Sequence, residues 1–141
     1  MTSTDEFKNK KNDSNLIIQI ENKLKTLGIL KPPQNIFPSI YEYQYLCEAI
    51  LLVITDEQFK NACDNTIYTV IAKKHGREWL STTKRVEIGI NAEIQGGWVW
   101  NEEYADAWKT YFGFSNLDEA VCPNNLRFIA TIAELLRSNL Q

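Results

Sequence analysis

The chain has 141 residues, 44% hydrophobic and 23% charged, with a net charge of −3 at neutral pH. That is the size and balance of one globular domain, long enough to bury a proper core. The mild acidity argues against binding nucleic acid through overall charge and leaves a local basic patch as the route. No apolar run approaches the roughly 20 residues of a membrane span, and Met1-Thr2-Ser3-Thr4-Asp5-Glu6 carries no apolar signal region, so a cytoplasmic chain is expected. Cys47, Cys63 and Cys122 are widely spaced, odd in number and without C-x-x-C spacing, as for free thiols rather than a disulfide framework or a zinc site.

Residues 1–14 are polar and charged, with Lys8, Lys10 and Lys11 among Asp and Asn. They bury too little to fold alone and read as a disordered tail, leaving 15–141 as a single helical domain. Asn15 or Ser14 can cap a first helix, Leu16 to Leu27, with Gly28 suited to the left-handed position past its end. Ile29 and Leu30 then fold back onto its last turn, and Lys31-Pro32-Pro33-Gln34 is an extended linker. Pro38 or Ser39 starts a second helix to about Ile54, whose apolar second half marks it as central. Thr55 caps a short third helix to about Ala62. A fourth runs from Thr66 to Lys74 and ends at Gly76, followed by a buried-looking Trp79-Leu80 pair.

The next helix, Thr82 to Gln95, carries the functional question. Val86, Ile90 and Ile94 recur every four residues and share one face. Ser81 is expected as the N-cap, and Gly96-Gly97 weaken any continuation. Lys84, Arg85, Glu87, Ile88, Asn91 and Gln95 are left on the outer side, a mixed polar front that suits a nucleic-acid groove or a solvated surface. Asn101 caps a further helix to about Phe112, closed by Gly113; residues 117–121 add a turn. A last helix runs from Asn125 to about Asn139, with Leu126, Ile129, Ala130, Ala133, Leu136 and Leu140 at helical spacing. With no strand pair and no internal repeat, the fold class is all-α, a compact multi-helix domain. Its consecutive helices 66–74 and 82–95 have the order of a helix-turn-helix.

Several short stretches point further: Tyr45-Leu46-Cys47-Glu48-Ala49-Ile50, Ile71-Ala72-Lys73-Lys74, Arg85-Val86-Glu87, Phe112-Gly113-Phe114 and Pro123-Asn124-Asn125-Leu126-Arg127-Phe128-Ile129-Ala130. In this order and spacing they resemble the C-terminal effector domains of the stage 0 sporulation protein A family, from about Leu16 to Arg137. The resemblance implies an all-helical DNA-binding regulator that reads the major groove, often as tandem copies on adjacent sites. Family members carry a phosphoacceptor receiver domain ahead of this one. About 15 residues precede the first expected helix here, so no such control is expected within this chain. Between Lys74 and Arg85 the chain is several residues longer than the family pattern. Ile88, Asn91 and Ala92 stand where the family carries arginines and a histidine, and Gly96-Gly97 interrupt a helical stretch.

Chemically, Arg85 can pair with guanine O6 and N7, Glu87 can accept from cytosine N4, Asn91 can read adenine, and Ile88 can touch a thymine methyl. Lys73, Lys74, Thr82, Thr83 and Lys84 are placed for phosphates of double-stranded DNA. The rival reading is a degenerate module without DNA binding, which dimerises with itself or with a full-length relative through its aromatic region. His75, the single histidine, reads as a helix-end dipole partner. No phosphate loop, nucleophile elbow, metal signature or acid–base pair is visible, so neither an enzyme, a cofactor nor a metal is expected.

Overall fold

A helix that is apolar round most of its circumference has to sit inside a domain. Ser39–Thr55 is that helix, with nine of its 17 residues buried. The structure, a computed structural model, describes residues 3–60, 63–98, 102–114 and 120–138, with side chains from residue 12 onward. In chain order the helices are α1 (Ser3–Thr26), α2 (Ser39–Thr55), α3 (Glu57–Lys60), α4 (Thr66–Trp79), α5 (Thr83–Gly97), α6 (Glu102–Phe112) and α7 (Asn125–Ser138). No strand occurs among the described residues, so the fold is all-α as expected. The α2 helix packs against α1, α3, α4, α5 and α7. None of the helices is long and apolar enough to cross a membrane.

The first helix differs from expectation at its start. It begins at Ser3, so residues 3–14, expected as a disordered tail, continue the helix. That stretch contains neither Gly nor Pro, and extending an existing helix needs no new nucleus. Its end is as expected. Gly28, at φ 82°, donates to Lys25 O and Ile29 donates to Leu24 O, both at 3.0 Å. These paired bonds satisfy the last carbonyls, and the apolar contact that accompanies them comes from buried Leu24 and Ile29. Leu30, expected to fold back as well, is exposed.

Two further boundaries shift, and the buried face of α7 differs in part. Thr55 is the last residue of α2, and Asp56 caps α3 instead, its Oδ1 accepting from Gln58 N at 2.8 Å. The α4 helix continues past Gly76 through a kink at φ 17°, ψ −102°, which lets the Trp79 ring stack on His75 at 3.6 Å. The Trp79-Leu80 pair is thereby split. Trp79 stacks between His75 and Tyr41, whereas Leu80, in the left-handed conformation, is 70% exposed. In α7 the buried hydrophobic residues are Phe128, Ile129, Ile132, Ala133 and Leu136, so Ile129, Ala133 and Leu136 lie inside as expected, whereas Leu126 and Ala130 are only half-buried. The buried face packs chiefly on α2, and the rings of Phe112 and Trp108 lie 5.4 and 5.7 Å from Phe128. The expected cap Asn101 and most of the 117–121 turn lie outside the described residues.

The glycine pair after Gln95 does not stop α5, which runs through to Gly97. Gly97 is buried against the turn after α1, where a Cβ would run into the Ile29 side chain. Gly96 faces open space. Opposite results are therefore expected from two neighbouring substitutions. Gly97→Ala should cost about 1–3 kcal/mol through overpacking, and Gly96→Ala should stabilise by about 0.5–1 kcal/mol by removing backbone freedom from the unfolded chain. Urea unfolding of the two variants checks this, and shifts of the same sign would refute the packing role of Gly97.

Candidate nucleic-acid interface

The α5 helix is set by its cap and its buried stripe. Thr82 is the N-cap in extended conformation, its Oγ1 accepting from Arg85 N at 3.1 Å. The expected cap, Ser81, pairs instead with the Tyr45 hydroxyl at 2.6 Å. Capping by Thr82 leaves the amides of Thr83 and Lys84 without partners inside the helix. Val86, Ile90 and Ile94 are fully buried, as expected. Gly89 also faces inward, where a Cβ would lie 3.1 Å from Glu42 Cγ, so α5 and α2 approach closely there. The outer face presents Lys84, Arg85, Ile88 and Asn91, with Glu87 half-buried beside them.

Two concavities flank this face. A cleft of about 500 Å³ runs between Lys84, Glu87, Ile88 and Asn91 of α5, Asn65 and Tyr68 at the start of α4, and Asn124, Asn125 and Leu126 at the start of α7. On the other flank, a groove of about 260 Å³ is walled by Pro38, Tyr41, Tyr45 and Trp79 and shares Arg85 and Ile88 with the face. The far wall of the cleft was not legible in the sequence as part of a site. Pro123-Asn124-Asn125 reads there as a helix start, which it is: Asn124 Oδ1 accepts from Arg127 N at 2.9 Å. A run of asparagines at that start, more than one cap requires, was the available signal.

The expected contact residues differ in how freely they stand. Ile88 is 56% exposed. Lys84 Nζ lies 3.6 Å from Glu87 Oε1, a loose and exposed pair. Arg85 Nη1 donates to the carbonyl of Leu80 at 3.2 Å, which folds the guanidinium back over the α4–α5 turn. Asn91 Nδ2 donates to Asn125 Oδ1 at 3.4 Å. Thr83 Oγ1 lies 3.3 Å from Thr69 Oγ1 and ties α5 to α4. Lys73 and Lys74 are on α4 rather than α5. Lys74 Nζ is taken by Glu48 of α2 at 3.0 Å, and the other oxygen of Glu48 lies 2.6 Å from His75 Nε2. His75 thus joins α4 to α2 through Glu48, where the sequence suggested a helix-end partner. Arg85, Glu87, Ile88, Asn91, Thr82, Thr83 and Lys84 all lie along α5; Lys74 is tied toward α2.

Behind the face lies a strained pair of carboxylates. Burial, with the Glu42 carboxylate adding repulsion, pushes Glu93 up from the ordinary 4.5 to about 7. Burial raises Glu42 as well. A carboxyl whose folded pKa lies above its unfolded one holds its proton more tightly when folded, so stability falls as pH rises between those values. Unfolding free energy should therefore decline from about pH 4.5 to pH 7 on account of Glu93. Glu93→Gln should flatten that slope and stabilise the protein at pH 8 by about 1 kcal/mol. A tenfold change in proton affinity is worth about 1.4 kcal/mol, and solvent screening of a carboxyl that is only partly buried lowers the yield. Urea titrations at pH 5 and pH 8 measure it, and an equal effect of the variant at both values would contradict the assignment.

Residues 20–136 match the family described as Sporulation initiation factor Spo0A C terminal. The chain belongs to this family. It is a family of DNA-binding, transcription-regulating domains of sporulation initiation. The Spo0A C-terminal match opens at Ile20 in α1 and closes at Leu136 in α7, and so takes in every helix that frames the cleft. At the level of the Spo0A C-terminal family, the partner is DNA.

Proposed function

We propose that this chain is a sequence-specific DNA-binding regulator in which α4 and α5 act as a helix-turn-helix and α5 enters the major groove. The observation that carries this reading is the outer face of α5. Lys84, Ile88 and Asn91 stand exposed at helical spacing on a capped helix whose first-turn amides are open, in a chain of a DNA-binding family. Arg85, Glu87, Ile88 and Asn91 face the bases. Thr82, Thr83 and Lys84 hold the phosphate backbone at the helix start, Lys73 serves it from α4, and Lys74 does so by exchanging its exposed pair with Glu48 for a phosphate.

The test is fluorescence anisotropy with duplex DNA carrying the family's 0A box and with a scrambled duplex, each at two salt concentrations. Tighter binding to the box, falling steeply with salt, is the expected result. Equal or absent binding to both duplexes would overturn the reading.

One observation favours a second reading, a protein-interaction module. The groove beside Arg85 is rimmed by Ile88 and by Tyr41, against which the 60% exposed Phe37 packs at 5.1 Å, and Leu80 projects next to Trp79. Clustered exposed apolar side chains suit a protein partner better than a phosphate backbone. Concentration-dependent self-association, reduced by Phe37→Ser and absent DNA binding, would establish it in place of the first.

A further inference from the structure

Asn125 is the single buried residue with a side-chain amide or charge among the described residues, 7% exposed on the wall of the cleft. A buried amide is retained at a cost unless all its groups are paired. Here they are. Asn125 Nδ2 donates to the backbone carbonyl of Glu87 at 3.0 Å, and Asn125 Oδ1 accepts from Asn91 Nδ2 at 3.4 Å. The amide therefore joins the start of α7 to two points on the outer half of α5, four residues apart.

The orientation of this chain of bonds follows from donor and acceptor chemistry. A carbonyl can only accept, so the Glu87 carbonyl requires the NH₂ of Asn125 to face it. That turns Asn125 Oδ1 toward Asn91, and an oxygen facing Asn91 requires the NH₂ of Asn91 in return. The Asn91 oxygen is consequently turned away from Asn125, on the exposed side of α5, with the second N–H of its Nδ2 still available. An asparagine in this orientation offers one acceptor and one donor side by side. Adenine offers the complement in the major groove, the N6 donor beside the N7 acceptor, whereas guanine presents acceptors at both O6 and N7. A free surface asparagine can turn its oxygen away and offer only its NH₂ to a guanine acceptor; one held in this orientation keeps its oxygen at the base edge, where a guanine acceptor repels it.

We propose that Asn125 is a positioning residue for base recognition, holding the amide of Asn91 in the one orientation that pairs with adenine. The inference rests on the reading of α5 as the recognition helix. Asn125 itself touches no base; it acts through Asn91, and its loss converts a fixed reader into a mobile one.

The experiment uses the whole chain and a set of duplexes in which each A·T pair of the 0A box is replaced singly by G·C. The unmutated protein should lose roughly tenfold in affinity at the position that Asn91 reads, the scale of one bidentate contact. Asn91→Ala should abolish that preference. Asn125→Ala should reduce it to within about twofold while leaving the other positions and the salt dependence unchanged, and the double variant should add nothing beyond Asn91→Ala. If the unmutated protein prefers no position, the reading of DNA by α5 fails and this proposal with it. If it shows the preference and Asn125→Ala keeps it, this proposal alone fails. A measurement on the unmutated protein does not depend on the variant's folding: ¹⁵N relaxation of the Asn91 side-chain amide should show motion restricted well below that of the exposed Asn22. Equal mobility of the two amides would overturn the proposal.

Discussion

Replacing Lys84 and Arg85 together by alanine should weaken binding to the 0A-box duplex by about two orders of magnitude, close to 3 kcal/mol. Both side chains sit in the first turn of α5, where the open amides and the helix dipole already favour an anion. Neither is committed elsewhere by a strong bond. The Lys84–Glu87 pair is loose and exposed, the kind worth between nothing and about 1 kcal/mol. The Arg85 bond to the Leu80 carbonyl is a single contact to a neutral acceptor near the surface, weaker than a two-bond pairing with guanine. Binding DNA requires giving it up, and the rest of the guanidinium is free to turn. The salt dependence of affinity should also fall by about one unit for each phosphate contact removed. Unfolding midpoints should change little, because both groups are exposed. Anisotropy titrations with a parallel urea melt check this; unchanged affinity in the double variant would remove α5 from the role of reader.

Trp108→Ala should have the largest effect on stability, about 4 kcal/mol. Trp108 is almost fully buried and packs on Trp98, Phe112 and Phe128 with centroid distances of 4.9, 5.4 and 5.7 Å. Its indole N–H donates to the carbonyl of Leu27 at 3.0 Å. That carbonyl belongs to the turn that ends α1, so one side chain joins α6, α7 and the close of α1. Truncation would open a cavity the size of an indole and leave the Leu27 carbonyl short of a partner, two costs that add. Against a typical total of about 5–15 kcal/mol, this is enough to populate the unfolded state on mild heating. A loss below about 1.5 kcal/mol in urea unfolding would show that this cluster is looser than its ring distances imply.

Much of this was legible before any tertiary structure. The four-residue spacing of Val86, Ile90 and Ile94 identified the buried face of α5, because side chains at i and i+4 must share a side whatever the neighbours are. Gly28 announced the end of α1 by the same kind of local rule, since only glycine takes φ 82° without strain. Short ordered motifs, from Tyr45-Leu46-Cys47 to Phe128-Ile129-Ala130, pointed to the family that the match over residues 20–136 establishes. Errors arose where two local rules competed. Gly96-Gly97 read as a stop because glycine is a poor helix former, yet Gly97 is present because the α1 turn comes too close for a Cβ. In α7 the spacing marked Ile129, Ala133 and Leu136 correctly but not Phe128 and Ile132 beside them, because several neighbouring apolar positions satisfied the helical period and packing on α2 and α6 decided among them.

The sequence by itself determined that the chain is all-α, that α2 is the central helix and that α5 has one buried and one polar face. Each of these follows from interactions between residues within a turn or two of one another. Tertiary structure alone decided how the polar face is arranged. Lys74 is drawn off to Glu48, Arg85 folds back on Leu80, and Asn91 is oriented by an asparagine 34 residues later in the chain. Periodicity says which side of a helix faces out, but a hydrogen bond between distant residues exists only once folding has brought a donor and an acceptor together. For that reason the stripe on α5 could be read from the chain, and the fixed orientation of its asparagine could not.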